Sequence, residues 1–443
     1  MKYFNSLKNY IFKEKSETDI FKNMSILAIG VGGAQIISFA ATPILTRMYL
    51  PEHFGILAIF VAVVGLIGPF NTLRYSVAIP LLKRDGIAIN LLAATAFILF
   101  FVICIVTIVL MVYAREIFGF FSIASLFPYW WLLPIAVFGS GLYEILNSWS
   151  IRQKMFKAIA KTKITQTLSS SIIKIIIGFF EAKSIGLLIG NVIATFLSAL
   201  LLIGSNYTSM RLAFKHMRLQ RILFLLKRYV EYPKYRVLSQ FILVLALQAP
   251  LLFLAAFFGA DTAGYFGLTM MVLSIPLALF GNTTGQAYYA EIAKIGRKKP
   301  HKIYAVTKDV VKRLFLFSLI PFLALLIYSP WLFYIVFGEN WQESGVYASI
   351  MSFYMFTAFI SAPLMNALSV FENQLVFLKL NLIRLSILIV LFFVSWLMNF
   401  DAIETIFCYS IVMSLYFIYL SYYIFKVIRS KITVGEDVVS KTL

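Results

Sequence analysis

Long apolar stretches, separated by short polar or basic connections, follow one another along this chain from about residue 24 to residue 425. Read as helices they cover 24–45, 55–80, 88–113, 128–150, 164–180, 185–206, 237–258, 264–286, 314–330, 346–370, 376–398 and 402–425, twelve in all. Each runs for roughly 17 to 26 residues, and at about 1.5 Å rise per residue that covers a bilayer hydrocarbon core of about 30 Å. The pattern predicts an all-α polytopic membrane protein. Composition agrees, because a chain that is 61% hydrophobic and 13% charged has more apolar surface than one soluble core can bury.

Charge then sets the orientation. Scored on alternate sides of the spans, 33 of the 39 lysines and arginines fall on one side, with Lys379 at that end of its span included, and three fall on the other. Basic segments resist translocation, so the basic side and both termini are read as cytoplasmic. The net charge of +20 is thereby explained by topology and by attraction to anionic headgroups, and nucleic acid is not expected as a partner. Residues 1–23 read as a cytoplasmic lead, amphipathic or solvated, and 426–443 as a cytoplasmic tail. The first span is full length and lacks a cleavage-site pattern, so it is not read as a cleaved signal. Cys104 and Cys408 lie far apart inside apolar spans, with neither a disulfide framework nor metal-ligand spacing.

The connection 207–236 mixes Leu212, Phe214, Leu219, Leu223 and Leu226 with Arg211, Lys215, Arg218, Arg221, Lys227 and Arg228, the composition of a basic helix lying in the membrane interface. It divides the spans into two bundles of six, 24–206 and 237–425. A faint repeat supports the division: Phe54-Gly55-Ile56 opens the second span and Phe266-Gly267-Leu268 the eighth, an offset of 212 residues. Two parallel-topology bundles around a central cavity are the usual platform for alternating access.

An ionisable side chain deep in a bilayer costs roughly 2.5–3.5 kcal/mol on insertion scales, so each should face protein, water or cargo. Arg74, Glu144, Lys174 and Arg384 stand out. Thr167, Ser170, Ser171 and Lys174 make one polar stripe at helical spacing. Ser140, Glu144, Asn147 and Ser148 repeat the pattern in the fourth span. Glu144 fits a proton or sodium coupling site, and equally a structural carboxylate pairing a cation such as Arg74 or Lys174. The run Gly281-Asn282-Thr283-Thr284-Gly285-Gln286 is poor in helix propensity, and Asn282 and Gln286 there, with Gln248 in the seventh span, are further cavity candidates. The bland alternatives are snorkelling for the cations and close helix packing for the serines. His53, His216 and His301 lack metal-ligand spacing, and no P-loop or paired catalytic carboxylates occur, so neither an enzyme nor a bound cofactor is expected.

The run Thr42-Pro43-Ile44-Leu45-Thr46-Arg47-Met48-Tyr49-Leu50-Pro51-Glu52-His53-Phe54-Gly55, followed by Leu73-Arg74-Tyr75 and Ala78-Ile79-Pro80, resembles the start of Wzx-type polysaccharide flippases of the multidrug, oligosaccharidyl-lipid and polysaccharide exporter superfamily. The likeness continues through Arg152-Gln153-Lys154-Met155-Phe156-Lys157, Gln248-Ala249-Pro250, Ala263-Gly264-Tyr265-Phe266 and Phe337-Gly338-Glu339-Asn340-Trp341. His53 departs from the acidic residue expected in that turn. The resemblance implies a carrier in the bacterial inner membrane that moves an undecaprenyl-pyrophosphate-linked oligosaccharide to the periplasmic leaflet for O-antigen or capsule synthesis, with H+ or Na+ coupling. It also implies work alongside a polysaccharide polymerase and a chain-length regulator. Arg74, Lys174 and Arg384 would supply cations for the diphosphate. A cation-coupled multidrug exporter on the same scaffold and a membrane-embedded glycosyltransferase or polymerase are the alternatives. The second of these would need larger periplasmic loops than this chain has.

Overall fold

The computed structural model describes residues 2–180, 183–277, 281–296, 299–370 and 374–440. Among them there are fourteen α-helices and no strand: α1 (Lys2–Met48), α2 (Pro51–Ile67), α3 (Asp85–Phe120), α4 (Leu132–Arg152), α5 (Phe156–Gly178), α6 (Lys183–Phe214), α7 (Leu219–Arg228), α8 (Val237–Pro276), α9 (Asn282–Ile295), α10 (Pro300–Phe337), α11 (Gln342–Ser361), α12 (Asn366–Val370), α13 (Gln374–Leu397) and α14 (Ala402–Ser440). Each apolar stretch of the sequence overlaps a helix. The seventh and eighth share α8, which breaks at Gly259 (φ +89°). Among the described residues nine helical stretches are long and apolar enough to cross a membrane. The count differs from twelve because one stretch holds both arms of α8, and because α4 and α5 fall below that apolarity. Those two less apolar helices carry Glu144 and Lys174. Exposed Phe97, Phe100, Ile105, Ile108 and Val112 on α3 give it the apolar outer face a bilayer requires.

One expectation is corrected. The second span is a helix only as far as Ile67. It continues as a 3-10 turn at Gly68–Phe70, a tight turn, and a second 3-10 segment at Tyr75–Leu81. Gly68-Pro69 accounts for the break, since proline withdraws a backbone donor and restricts the residue before it. The Gly281–Gln286 run, read as poor in helix propensity, instead enters the first turns of α9.

The chain packs into two compact units. The first contains the chain up to Ala41, Ile67–Ala114 and Pro128–Leu238. The second contains Thr42–Leu66, Arg115–Phe127 and the chain from Ser239 onward. In the first unit Ile79, Ile89, Leu99, Ile145 and Trp149 form a core that also takes Leu225 from α7. The linker helix therefore lies against the bundle, with Leu219, Leu223 and Phe224 left exposed.

The second unit explains why several of the family-like motifs coexist. Trp341 Nε1 donates to the Thr46 carbonyl at 2.9 Å, and the rings of Phe54 and Tyr265 meet the Trp341 ring edge-on at 4.9 and 6.2 Å. The Arg47 guanidinium donates to the carbonyls of Val336 (2.9 Å) and Ile335 (3.1 Å), satisfying acceptors at the C-terminal end of α10 that the helix itself leaves open. Gly55 and Gly264 let α2 and α8 touch backbone to backbone. A Cβ on Gly55 would lie 1.7 Å from the Ala260 carbonyl oxygen, and one on Gly264 would lie 2.0 Å from that of Pro51. Such close approach between membrane helices is available only to the smallest residue.

Candidate functional site

The break in the second span builds a polar cluster inside the first unit. Leu73 (φ +45°) and Arg74 (φ +60°) both occupy the left-handed region, which costs of order 1–3 kcal/mol for each non-glycine residue and persists only where surroundings over-determine it. The surroundings are specific. Asn71, 1% exposed, donates through Nδ2 to the Val137 carbonyl at 3.4 Å and to Ser140 Oγ at 3.2 Å, tying the turn to α4. A Cβ at Gly141 would sit 2.3 Å from Leu99 Cδ1 and 3.3 Å from Asn71 Cβ, so glycine there admits both α3 and the turn to the face of α4.

Onto this turn α4 projects Glu144. Its Oε1 accepts from Ser76 Oγ at 2.6 Å, from Thr72 Oγ1 at 3.3 Å and from Arg74 Nη1 at 3.4 Å. Thr72 and Ser76 are fully buried and 3.0 Å from each other. Ser76 gives its proton to the carboxylate, while Thr72 shares its own between the carboxylate and the Ser76 oxygen. Arg74 and Glu144 each keep about a quarter of the side chain exposed, 24% and 25%, so the pair can be reached. Flanking Glu144 on α4, the Tyr143 hydroxyl and Asn147 Oδ1 are buried without a hydrogen-bond partner among the described residues. Lys163 Nζ lies 4.7 Å from the centre of the Tyr143 ring, a cation–π contact.

The other candidates are distributed differently. Lys174 is in the first unit on α5, with its stem against Gly190 of α6: a Cβ on that glycine would be 2.5 Å from Lys174 Cγ. Ser171 is buried and Ser170 half-buried along the same stripe. In the second unit Arg384 lies on α13 with its Nε buried and without a hydrogen-bond partner among the described residues, the rings of Tyr354 and Tyr409 lie 5.5 Å apart, and Tyr416 donates to the Leu380 carbonyl at 3.2 Å. Gln248 is half-buried, its Nε2 lying 3.6 Å from where a Cβ on Gly65 would be. Gln286 is exposed. The side chain of Asn282 lies outside the described residues. Asn366, one of the weaker candidates, donates to the Gly285 and Pro363 carbonyls at 3.1 Å each.

The structure thus brings Arg74 and Glu144 together and gives Lys174 a separate setting between α5 and α6. It adds Asn71, Thr72 and Ser76, which the sequence reading passed over. A Gly-Pro step followed by Asn-Thr inside an apolar span was the signal available for them. No group of three or more metal-ligating residues occurs among the described residues. What the cluster can do is hold an oxyanion: two hydroxyl donors and a guanidinium already converge on one carboxylate oxygen.

A family model described as polysaccharide biosynthesis protein matches residues 44–346. The fold is similar to that of the lipid II flippase MurJ in an inward closed conformation, at TM-score 0.67 and 13% identity over 94% of this chain and 93% of that one. It is also similar to a multidrug resistance MATE family transporter of the MOP superfamily in an inward-facing conformation, at TM-score 0.63 and 14% identity over 93% of this chain and 99% of that one. A MOP superfamily transporter from Pyrococcus furiosus is similar at TM-score 0.55 and 12% identity, over 94% and 96%. No curated protein matches the chain.

Proposed function

Because the chain belongs to the polysaccharide biosynthesis protein family, we propose that it flips undecaprenyl-pyrophosphate-linked oligosaccharide repeat units across the bacterial inner membrane for surface polysaccharide synthesis. On this reading the cargo is loaded from the cytoplasmic leaflet and released on the periplasmic side, where O-antigen or capsule is assembled. The observation that carries it is the broken second span. A polytopic transporter fold in this family holds, within a membrane helix, a turn whose hydroxyls and guanidinium are arranged for an oxyanion. A diphosphate linked to sugars requires such donors, while the prenyl chain is satisfied by lipid. Lys174 offers a further cation on a hydroxyl stripe. The fold alone, shared with transporters of other cargo, supports transport rather than catalysis.

Deletion tests the reading. Cells without the protein should lose surface polysaccharide and accumulate lipid-linked oligosaccharide on the cytoplasmic side, and purified protein in liposomes should restore translocation of that lipid. Normal surface polysaccharide in the deletion strain would remove the assignment. Increased drug susceptibility with intact polysaccharide would establish the exporter alternative in its place.

A further inference from the structure

We propose that Glu144 is a built-in stand-in for the cargo's phosphate, an internal anion that occupies the Thr72–Arg74–Ser76 cradle and must be displaced for a phosphate oxygen to take its place. The inference rests on the flippase reading and names the atoms at which the anionic part of the cargo docks.

Three observations carry it. All three bonds from the turn reach the same carboxylate oxygen, Oε1, at 2.6, 3.3 and 3.4 Å, as donors around one oxyanion oxygen would. The donors are held in place by backbone that is costly to maintain, with two successive non-glycine residues in the left-handed region. A turn required only to end a helix has cheaper solutions, whereas strain at a converging set of donors marks a pre-organised site. Finally, the cluster has spare capacity at its edge. Asn71 Oδ1 on the turn and Asn147 Oδ1, about one helical turn after Glu144, are both buried and without a hydrogen-bond partner among the described residues. The hydroxyls of a sugar esterified to a phosphate can donate to both, whereas a carboxylate, an acceptor only, can satisfy neither.

Competition follows from charge. With Glu144 in the cradle the Arg74 cation is matched, and an arriving phosphate meets a carboxylate at the site it needs. The quarter of Glu144 that remains exposed gives the side chain somewhere to go. The internal anion thereby keeps the empty cradle from collapsing and favours cargo able to out-compete a carboxylate, a diphosphate over a monoanion.

The experiment measures binding of inorganic pyrophosphate to the purified full-length protein in detergent. Glu144→Gln and Glu144→Ala should each bind it at least about tenfold more tightly than the unmodified protein, because a competing charge-assisted acceptor is removed. Arg74→Gln combined with Glu144→Gln should abolish the gain. Equal affinity in the unmodified protein and both Glu144 variants overturns the proposal. Should the Glu144 variants fail to fold, Arg74→Gln, which leaves the carboxylate beside the cradle without its cation, should abolish pyrophosphate binding; unchanged affinity there overturns it as well. The two readings separate cleanly. Tighter binding in Glu144→Gln together with normal polysaccharide in the deletion strain keeps the anion cradle and removes the flippase. Trapped lipid-linked oligosaccharide in the deletion strain, with pyrophosphate affinity unmoved by any variant, keeps the flippase and removes the cradle.

Discussion

Replacing Gly55 by alanine adds one methyl group where α2 meets α8, and the structure fixes its consequence. The new carbon would lie 1.7 Å from the Ala260 carbonyl oxygen, 2.6 Å from the carbonyl carbon and 3.0 Å from the Gly264 nitrogen. All three are backbone atoms of the opposing helix, so no side chain can rotate away. An ordinary carbon–oxygen contact is near 3.3 Å, which requires the helices to part by about 1.5 Å, and forfeiting that much contact loses most of the dispersion gained there. We expect a loss of about 3 kcal/mol, the upper end of the overpacking range. The assay is thermal unfolding of purified protein in detergent, with Gly204→Ala as the control. No atom beyond its own helix lies within 4 Å of a Cβ on Gly204, and its helical position should make alanine neutral or mildly stabilising. An unfolding temperature for Gly55→Ala equal to that of the control would refute the reasoning and mean that the α2–α8 approach is not close in the membrane. Gly264→Ala should reproduce the loss, and the double variant should fall short of additivity because one separation relieves both clashes.

Lys174→Ala should lower lipid-linked oligosaccharide translocation at normal protein abundance while Lys174→Arg retains part of it, measured as surface polysaccharide in a complemented deletion strain; full export by Lys174→Ala would return that lysine to packing or snorkelling. Arg74→Ala should reduce both abundance and translocation, because it leaves the Glu144 carboxylate with two hydroxyl donors and no cation, and wild-type levels of each would contradict the pairing. Cysteines introduced at positions in 207–236 should resist a membrane-impermeant reagent applied from outside, and strong labelling of intact cells there would reverse the proposed orientation.

Most of the long helices were legible in the sequence because they are specified by runs of apolar residues long enough for a bilayer, a property that needs no knowledge of neighbours. The break in the second span was not, since Val61–Leu66 on one side and Val77–Ile79 on the other are apolar enough to carry an averaged pattern across Asn71-Thr72-Leu73-Arg74. Glu144 could be flagged as a carboxylate with too few reasons to be in a membrane. Its two strongest neutral partners could not, because Thr72 and Ser76 are ordinary small polar residues until a turn aims them. Tertiary pairing was equally silent: Trp341 donates to Thr46 across 295 residues of chain, and two motifs that look like separate family signatures are two sides of one contact.

The path of the chain adds a mechanical consequence to the broken span. Polypeptide leaves the first unit after Ala41, lends Thr42–Leu66 to the second, and returns at Ile67. From Ile67, the last residue of α2, the chain passes at once into Gly68-Pro69 and, four residues later, reaches Leu73 and Arg74. Those two residues already sit at the rim of allowed backbone space, where a modest change in φ or ψ has a steep energetic response. Inserting or removing a single residue between Ile67 and Leu73 would therefore turn the Arg74 guanidinium away from Glu144, so the length of this short segment is as much a part of the cluster as its side chains.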